Sequence, residues 1–411
     1  MSVFFVGMLF AGNSHAQKFK KSDYFIEGGL RYGSALYHPK SDIFLKDLFF
    51  GSLELRFGLQ AIGKNLWERS LNKPIVGIAL RYTDYSDFSD ASAIRKWQSR
   101  ILGQNVALFG YLQGPIIRYK WFTWHYQLGM GFAVFTKIYN EKTNPENNLI
   151  SLYVTPYINI QMGFDFRLNK KFELCLNANF VHSSNASMNM PNFGINEVQG
   201  IVGLRYHFNP DIQWIKEDAK PEFKPENALF FTIDPGWLWA RYDDFYYLKV
   251  GTNIGYMRHL YPIFNVGIAL DLCYMYKIAP TRDAKDANGQ TIPTDYPTHS
   301  HAEALYAFGE LTFGWFAFHV GIGGYFNRYP RNKELAKNRD GGGTLKKVPW
   351  IYEKIGFRIA IDKQQRHFVG VSIRAHFPVA DYLAFTYGYK FYTFSDIKRN
   401  KKEAFSRNRS R

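Results

Sequence analysis

Long apolar runs are missing from this chain of 411 residues. Nowhere do the roughly 18 uncharged apolar residues of a spanning helix follow one another, which excludes a helical membrane protein. Cysteine is nearly absent: Cys175 and Cys273 are the whole supply, in predicted strands of different halves. A disulfide framework is thereby excluded, and both read as packing thiols. Acid is short relative to base, 35 Asp and Glu against 51 Lys and Arg, a formal charge of +16. Basic residues near predicted strand ends, Arg81, Arg118, Lys120, Lys137 and Lys142, suit an anionic surface, although solubility and assembly would explain the charge equally.

Alternation is what the chain has in abundance. From Leu152 to Leu168, Leu152, Val154, Ile158, Ile160, Met162, Phe164 and Phe166 share one face of a strand, while Thr155, Asn159, Gln161, Asp165 and Arg167 share the other. Eight such segments run from Tyr24 to Phe208 and eight more from Phe230 to Phe394. Their length and aromatic-rich apolar faces predict an all-β, outer-membrane antiparallel barrel with a lipid-facing outside and a polar inside. A soluble sandwich is the minor alternative.

The halves resemble each other. Val76–Leu80 and Val266–Leu270 both read VGIAL, Trp121–His125 matches Trp315–His319, and Phe172–Phe180 alternates as Val369–Phe377 does. An internal duplication predicts two tandem eight-stranded barrels, with one sixteen-stranded barrel as the alternative. The expected organisation is a secretory signal over residues 1–16, a first barrel over 17–208, a periplasmic linker over 209–227, a second barrel over 228–394 and a basic disordered tail over 395–411. The signal is read from SVFFVGMLFAG and the small residues up to Ala16, with no basic start.

The stretch Lys171–Phe208 carries the chemistry. Phe172, Leu174, Leu176, Ala178 and Phe180 form an apolar row that ends on His182 and Ser184, and Val198, Gly200, Val202 and Leu204 form the facing row. Without their neighbours, a histidine and a serine at a strand end would be ordinary polar residues of a membrane interface. Here they read HxSNA, through Asn185 and Ala186, followed by Pro191, Asn192, Gly194 and Ile195. Over the first half, this resembles the outer-membrane lipid A 3-O-deacylases of the PagL type, the acyloxyacyl hydrolases.

The resemblance implies hydrolysis of the ester-linked acyl chain at the 3 position of lipid A, with His182 as base and Ser184 as nucleophile. Where the family has a glutamate, this sequence has Asn196. Two residues apart on a strand, His182 and Ser184 are about 6.5–7 Å apart along the chain on one face, near enough for the imidazole to take the hydroxyl proton. Asn196 shares that face through its parity with Val198 and can orient the ring through its amide oxygen, though without charge. Glu197 is held as a reserve acid whose parity aims it at the lumen. Asn185 and Asn192 are candidates for positioning substrate or the oxyanion, and both are also good turn residues.

Other polar residues carry weaker signals. His125 and His319 are expected on the lumen side. His299, His301 and Glu303 share a face but lack the further ligands of a metal site. The glycine-rich segment 340–347 lacks the full phosphate-loop pattern. Matching the halves puts Val379 and Asp381 where His182 and Ser184 stand, so the second half carries no site. The reading is a cofactor-free esterase of the cell outer membrane, its site facing the outer leaflet, with lipid A or lipopolysaccharide and membrane lipid as partners, no metal and no nucleic acid. A homo-oligomer, or an unidentified protein partner for the second half, is left open. The first alternative is a catalytically silent lipopolysaccharide-binding or structural barrel, and the second is a porin.

Overall fold

The computed structural model describes residues 23–36, 48–85, 101–186, 188–189, 191–211, 223, 225–240, 245–280, 299–329, 350–376 and 379–392. The expected signal, the C-terminal tail, the glycine-rich 340–347 segment and most of the linker lie outside them. Eight strands form the first unit: β1 (Asp23–Ala35), β2 (Phe49–Gln60), β3 (Ile75–Asp84), β4 (Gln104–Arg118), β5 (Phe122–Phe135), β6 (Val154–Arg167), β7 (Phe172–Ser183) and β8 (Ile195–His207). Each pairs antiparallel with the next, and β1 closes on β8 from Phe25 opposite His207 to Ala35 opposite Glu197.

The second unit comprises β9 (Glu226–Ala240), β10 (Phe245–Tyr261), β11 (Phe264–Pro280), β12 (His299–Phe313), β13 (Phe316–Tyr329), β14 (Ile351–Ala360), β15 (His367–His376) and β16 (Val379–Tyr392). It closes where β16 pairs with β9. Two closed eight-stranded barrels overturn both the single sixteen-stranded barrel and the sandwich.

The parity of each strand decides which side chains meet which environment. Along β6, Thr155, Asn159, Gln161 and Asp165 are buried, whereas Val154, Ile160, Met162 and Phe164 are exposed on the outer wall. The same inversion holds around the barrel: Leu30, Leu53, Leu108 and Val202 lie outside while Arg31, Glu54, Arg56 and Arg205 lie inside. Greasy outside and charged inside is the pattern of a barrel bathed in lipid. Among the described residues no helix is long and apolar enough to cross a membrane.

Among the described residues, buried ion pairs run across both lumens. In the first barrel Arg56 donates to Gln127 Oε1 at 3.0 Å and Gln161 Oε1 at 2.6 Å, and it pairs with Glu54. Arg205 bridges Glu27, Asp165 and Glu173, each at 2.9 Å. The second barrel is crossed by Lys354 to Asp234 at 2.9 Å and by the pairs Arg358–Glu310 and Arg374–Asp271. Removing one partner of such a buried pair strands the other charge at a cost of about 3–5 kcal/mol, so these networks hold the cross-section closed and count against the porin. Arg81 belongs to them: fully buried and paired with Glu197, it is no part of a basic surface.

The two ends of the first barrel differ. One holds the tight β4–β5 and β6–β7 turns and, between β2 and β3, a helical turn, α1 (Leu66–Ser70), that alternation does not reveal. The α1 turn is organised by Glu68, whose carboxylate accepts from the N–H groups of Gly63 and Lys64 and from Asn65 Nδ2 at 2.7–2.9 Å. At the other end lies an apolar plug in which Phe50 meets Tyr85 and Phe109 meets Tyr157, ring centroids 4.9 and 5.0 Å apart. Lys137 and Lys142 are exposed at this loop end, whereas Arg118 and Lys120 belong to the turn end.

Candidate active site

The β7–β8 ladder assembles the candidate residues. His182 stands directly opposite Asn196, and Phe180 opposite Val198, so all four face outward from the barrel. Ser184 is the first residue after β7, where the ladder no longer dictates its direction. The three polar residues are half-buried at the loop end, above a wall formed by the exposed side chains of Phe180, Val198 and Ile160.

Their side chains form a continuous hydrogen-bonded chain. His182 Nδ1 lies 2.7 Å from Asn196 Oδ1, and His182 Nε2 lies 2.9 Å from Ser184 Oγ. An amide oxygen can only accept, so Nδ1 carries the ring proton and donates to Asn196. Nε2 then has its lone pair toward Ser184 and accepts from the hydroxyl. This tautomer is assigned from the partners, and it is the one a base acting on a serine needs.

Glu197 points the other way. Its carboxylate, inside the barrel, accepts from Tyr85 Oη at 2.6 Å and pairs with Arg81. Committed to that network on the opposite face, the reserve acid is removed from His182.

Asn185 and Asn192 divide their work differently from expectation. Asn185 is fully buried, its Nδ2 donating to Ser151 Oγ and Asn189 O, both at 2.9 Å, and its backbone N–H donating to Asn192 Oδ1 at 2.9 Å. With those donors engaged, Asn185 is a scaffold for the turn, not a donor to an oxyanion. The same bond holds the Asn192 carbonyl end and leaves its amino end as the group that can donate.

Gly194, in the motif after Asn192, sits where the chain returns past both His182 and Ser184. Its φ is +72°, and a Cβ there would lie 3.0 Å from Ser184 Cβ and 3.2 Å from His182 Cε1. Only glycine lets the returning backbone pass so close to both residues.

The remaining candidates lie elsewhere. His125 and His319 are buried in the lumens beside Asp165 and Glu310, at 3.3 and 3.2 Å. In the second barrel His376 Nδ1 bonds Asp381 Oδ1 at 2.8 Å, with Asp381 at the place of the serine. The side chain of His299 lies outside the described set, and among the described residues no three His, Cys, Asp or Glu groups gather closely enough for a metal. Cys175 and Cys273 are unbridged. A cavity of 590 Å³ opens at the turn end of the first barrel, lined by Asp23, Gln113, His125 and Asp165, far along the strands from Ser184.

Residues 52–205 match the family model described as lipid A 3-O-deacylase (PagL), and residues 228–393 match that of the acyloxyacyl hydrolase C-terminal domain (PagL_C). Both barrels are PagL-family domains. The likeness thus extends past the first half, to which the motif confines it, and takes in most of the chain. This PagL-family assignment, with the barrel fold, supports an outer-membrane lipid A deacylase, an ester hydrolase at the level of the family, with lipid A as the implied substrate.

No curated protein matches. Among solved structures, Neisserial surface protein A is 8% identical with a TM-score of 0.31, covering 46% of this chain and 100% of its own. The transport unit of the autotransporter AIDA-I from Escherichia coli is 11% identical with a TM-score of 0.21, covering 94% of each chain. Neither likeness is close enough to bear on the activity.

Proposed function

We propose that the first barrel removes the 3-O-linked acyl chain of lipid A at the outer leaflet by serine–histidine hydrolysis. The observation that carries this reading is the hydrogen-bonded row Asn196–His182–Ser184 on the lipid-facing wall. Ser184 Oγ attacks the ester carbonyl carbon while its proton passes to His182 Nε2. Asn196 holds the ring by its Nδ1–H, and the Asn192 amino group, with nearby backbone N–H groups, faces the developing oxyanion. Collapse of the tetrahedral intermediate breaks the bond to the sugar 3-oxygen, which leaves with the imidazolium proton. Water, deprotonated by the same ring, then releases the fatty acid from Ser184. No cofactor enters the cycle.

An outward-facing site suits this substrate, because an acyl chain can stay in lipid along Phe180 and Val198 while its ester reaches the serine. Asn196, which supplies no charge, favours a second reading, a silent lipopolysaccharide-binding barrel. The two are separated by mass spectra of lipid A from cells making the parent, Ser184→Ala or His182→Ala at matched membrane levels. Loss of one 3-linked acyl mass with the parent alone is expected. Identical spectra in all three, with the barrel inserted, would leave the silent reading.

A further inference from the structure

Two loops meet beside the serine. Four hydrogen bonds join residues 148–151, from the β5–β6 loop, to residues 185–194. Phe193 N–H donates to Asn148 O at 3.2 Å and Gly194 N–H to Leu149 O at 3.0 Å. Asn185 Nδ2 donates to Ser151 Oγ at 2.9 Å, and Asn189 Nδ2 to Ser151 O at 3.0 Å. Behind them sits Asn147, fully buried. Its amino group donates to Ile101 O at 3.2 Å and Lys137 O at 3.4 Å, and its Oδ1 accepts from the N–H groups of Leu149 and Ile150 at 3.3 and 3.1 Å. Leu149 and Ile150 are themselves buried in the apolar plug, and Phe193 packs against it.

We propose that the β5–β6 loop is a positioning element of the hydrolytic site, with Asn147 as its keystone and Ser151 as the contact through which it sets the nucleophile; this rests on the esterase reading above. Ser184 lies beyond the ladder, so strand pairing does not fix its separation from His182. The next residue does. Asn185 is held on three sides, by Ser151, Asn189 and Asn192, and Gly194, packed against both Ser184 and His182, is held by Leu149. A serine so placed keeps its 2.9 Å contact to the base before substrate arrives. A misplacement of about 1 Å costs on the order of 100-fold in rate. Residues 147–151 touch none of the reacting atoms; they act through the backbone of the neighbouring loop.

The test uses the full chain in detergent micelles. Ser151→Ala is expected to lower kcat about 10-fold with KM within about twofold, and Asn147→Ala about 100-fold. Ser151→Thr, which keeps the hydroxyl, should recover most of the rate. Combining Ser151→Ala with Asn185→Ala should be no worse than Asn185→Ala alone, because the two share one bond. Amide hydrogen exchange gives a readout besides activity: in Ser151→Ala, Asn185 and Gly194 should exchange at least about 10-fold faster while the β7 and β8 ladder is unchanged. An active parent whose exchange and kcat ignore Ser151→Ala, or additive losses in the double variant, would overturn the positioning role and leave the esterase standing. An inactive parent whose protected amides open in the variant would retain the clamp and reject the esterase.

Discussion

The proposed chemistry turns on Asn196. A carboxylate in its place would both orient the imidazole and stabilise its charged form; an amide performs only the first task. Asn196→Ala should therefore lose orientation and lower kcat by about 10- to 100-fold, while Asn196→Asp, which keeps an oxygen at the same reach, should retain or exceed the parental rate. Steady-state hydrolysis of purified lipid A measures both, and a faster Asn196→Ala would reject the orienting role. Because the proposed cycle uses the neutral ring as base, activity should be lost at acid pH, where the imidazole protonates. Gly194→Ala makes a separate claim. At φ +72° and 3.0 Å from Ser184 Cβ, the added methyl strains the backbone by about 1–2 kcal/mol and displaces the nucleophile. A kcat loss of at least about 10-fold is expected from a barrel that still migrates as folded in unheated gels.

At the scale of the strand, legibility follows the period. All sixteen strands were readable because a barrel wall separates lipid from lumen at every residue, leaving a two-residue signal along the whole length. The same parity distinguishes Asn196 from Glu197: one position along β8 moves a side chain from the outer wall beside His182 to the Arg81 pair in the lumen. Parity fails where the ladder stops. Nothing periodic marks α1, which depends on a single glutamate folding back on backbone N–H groups. Asn185 likewise looks like a free amide until Ser151, 34 residues earlier, is seen to take it. Such contacts belong to loop tips brought together by closure, and no local pattern encodes them. Wall parity is also quantitative. Ile160 is exposed near the middle of β6, so Ile160→Arg should cost about 2–4 kcal/mol in folding into phospholipid vesicles. A cost below about 1 kcal/mol would show that this face does not meet the hydrocarbon.

For the whole molecule, closure and filling have separate consequences. Each barrel completes its own hydrogen-bond ladder, β1 on β8 and β9 on β16, so neither borrows a strand from the other. The segments matched between the halves occupy the third, fifth and seventh strand of each barrel, β3 with β11, β5 with β13 and β7 with β15, yet where β7 leads into a serine the second barrel has Asp381 bonded to His376. Among the described residues, the second barrel thus shares the scaffold with an acid where the first has its serine. A chain ending after residue 211 should then fold and keep kcat within about threefold of the parent, since every described partner of Ser184, His182 and Asn196 lies before that point. A contribution of the second barrel to lipid A binding would appear as a higher KM in the shortened chain, with kcat preserved. Loss of kcat from a shortened barrel proven folded would mean instead that the site is completed from the other half. Filling makes the complementary prediction for transport. With Arg56 and Arg205 crossing one lumen and Arg358 and Arg374 the other, planar bilayers holding the full chain should show no steps of porin size, and steps of that size would mean that these contacts open.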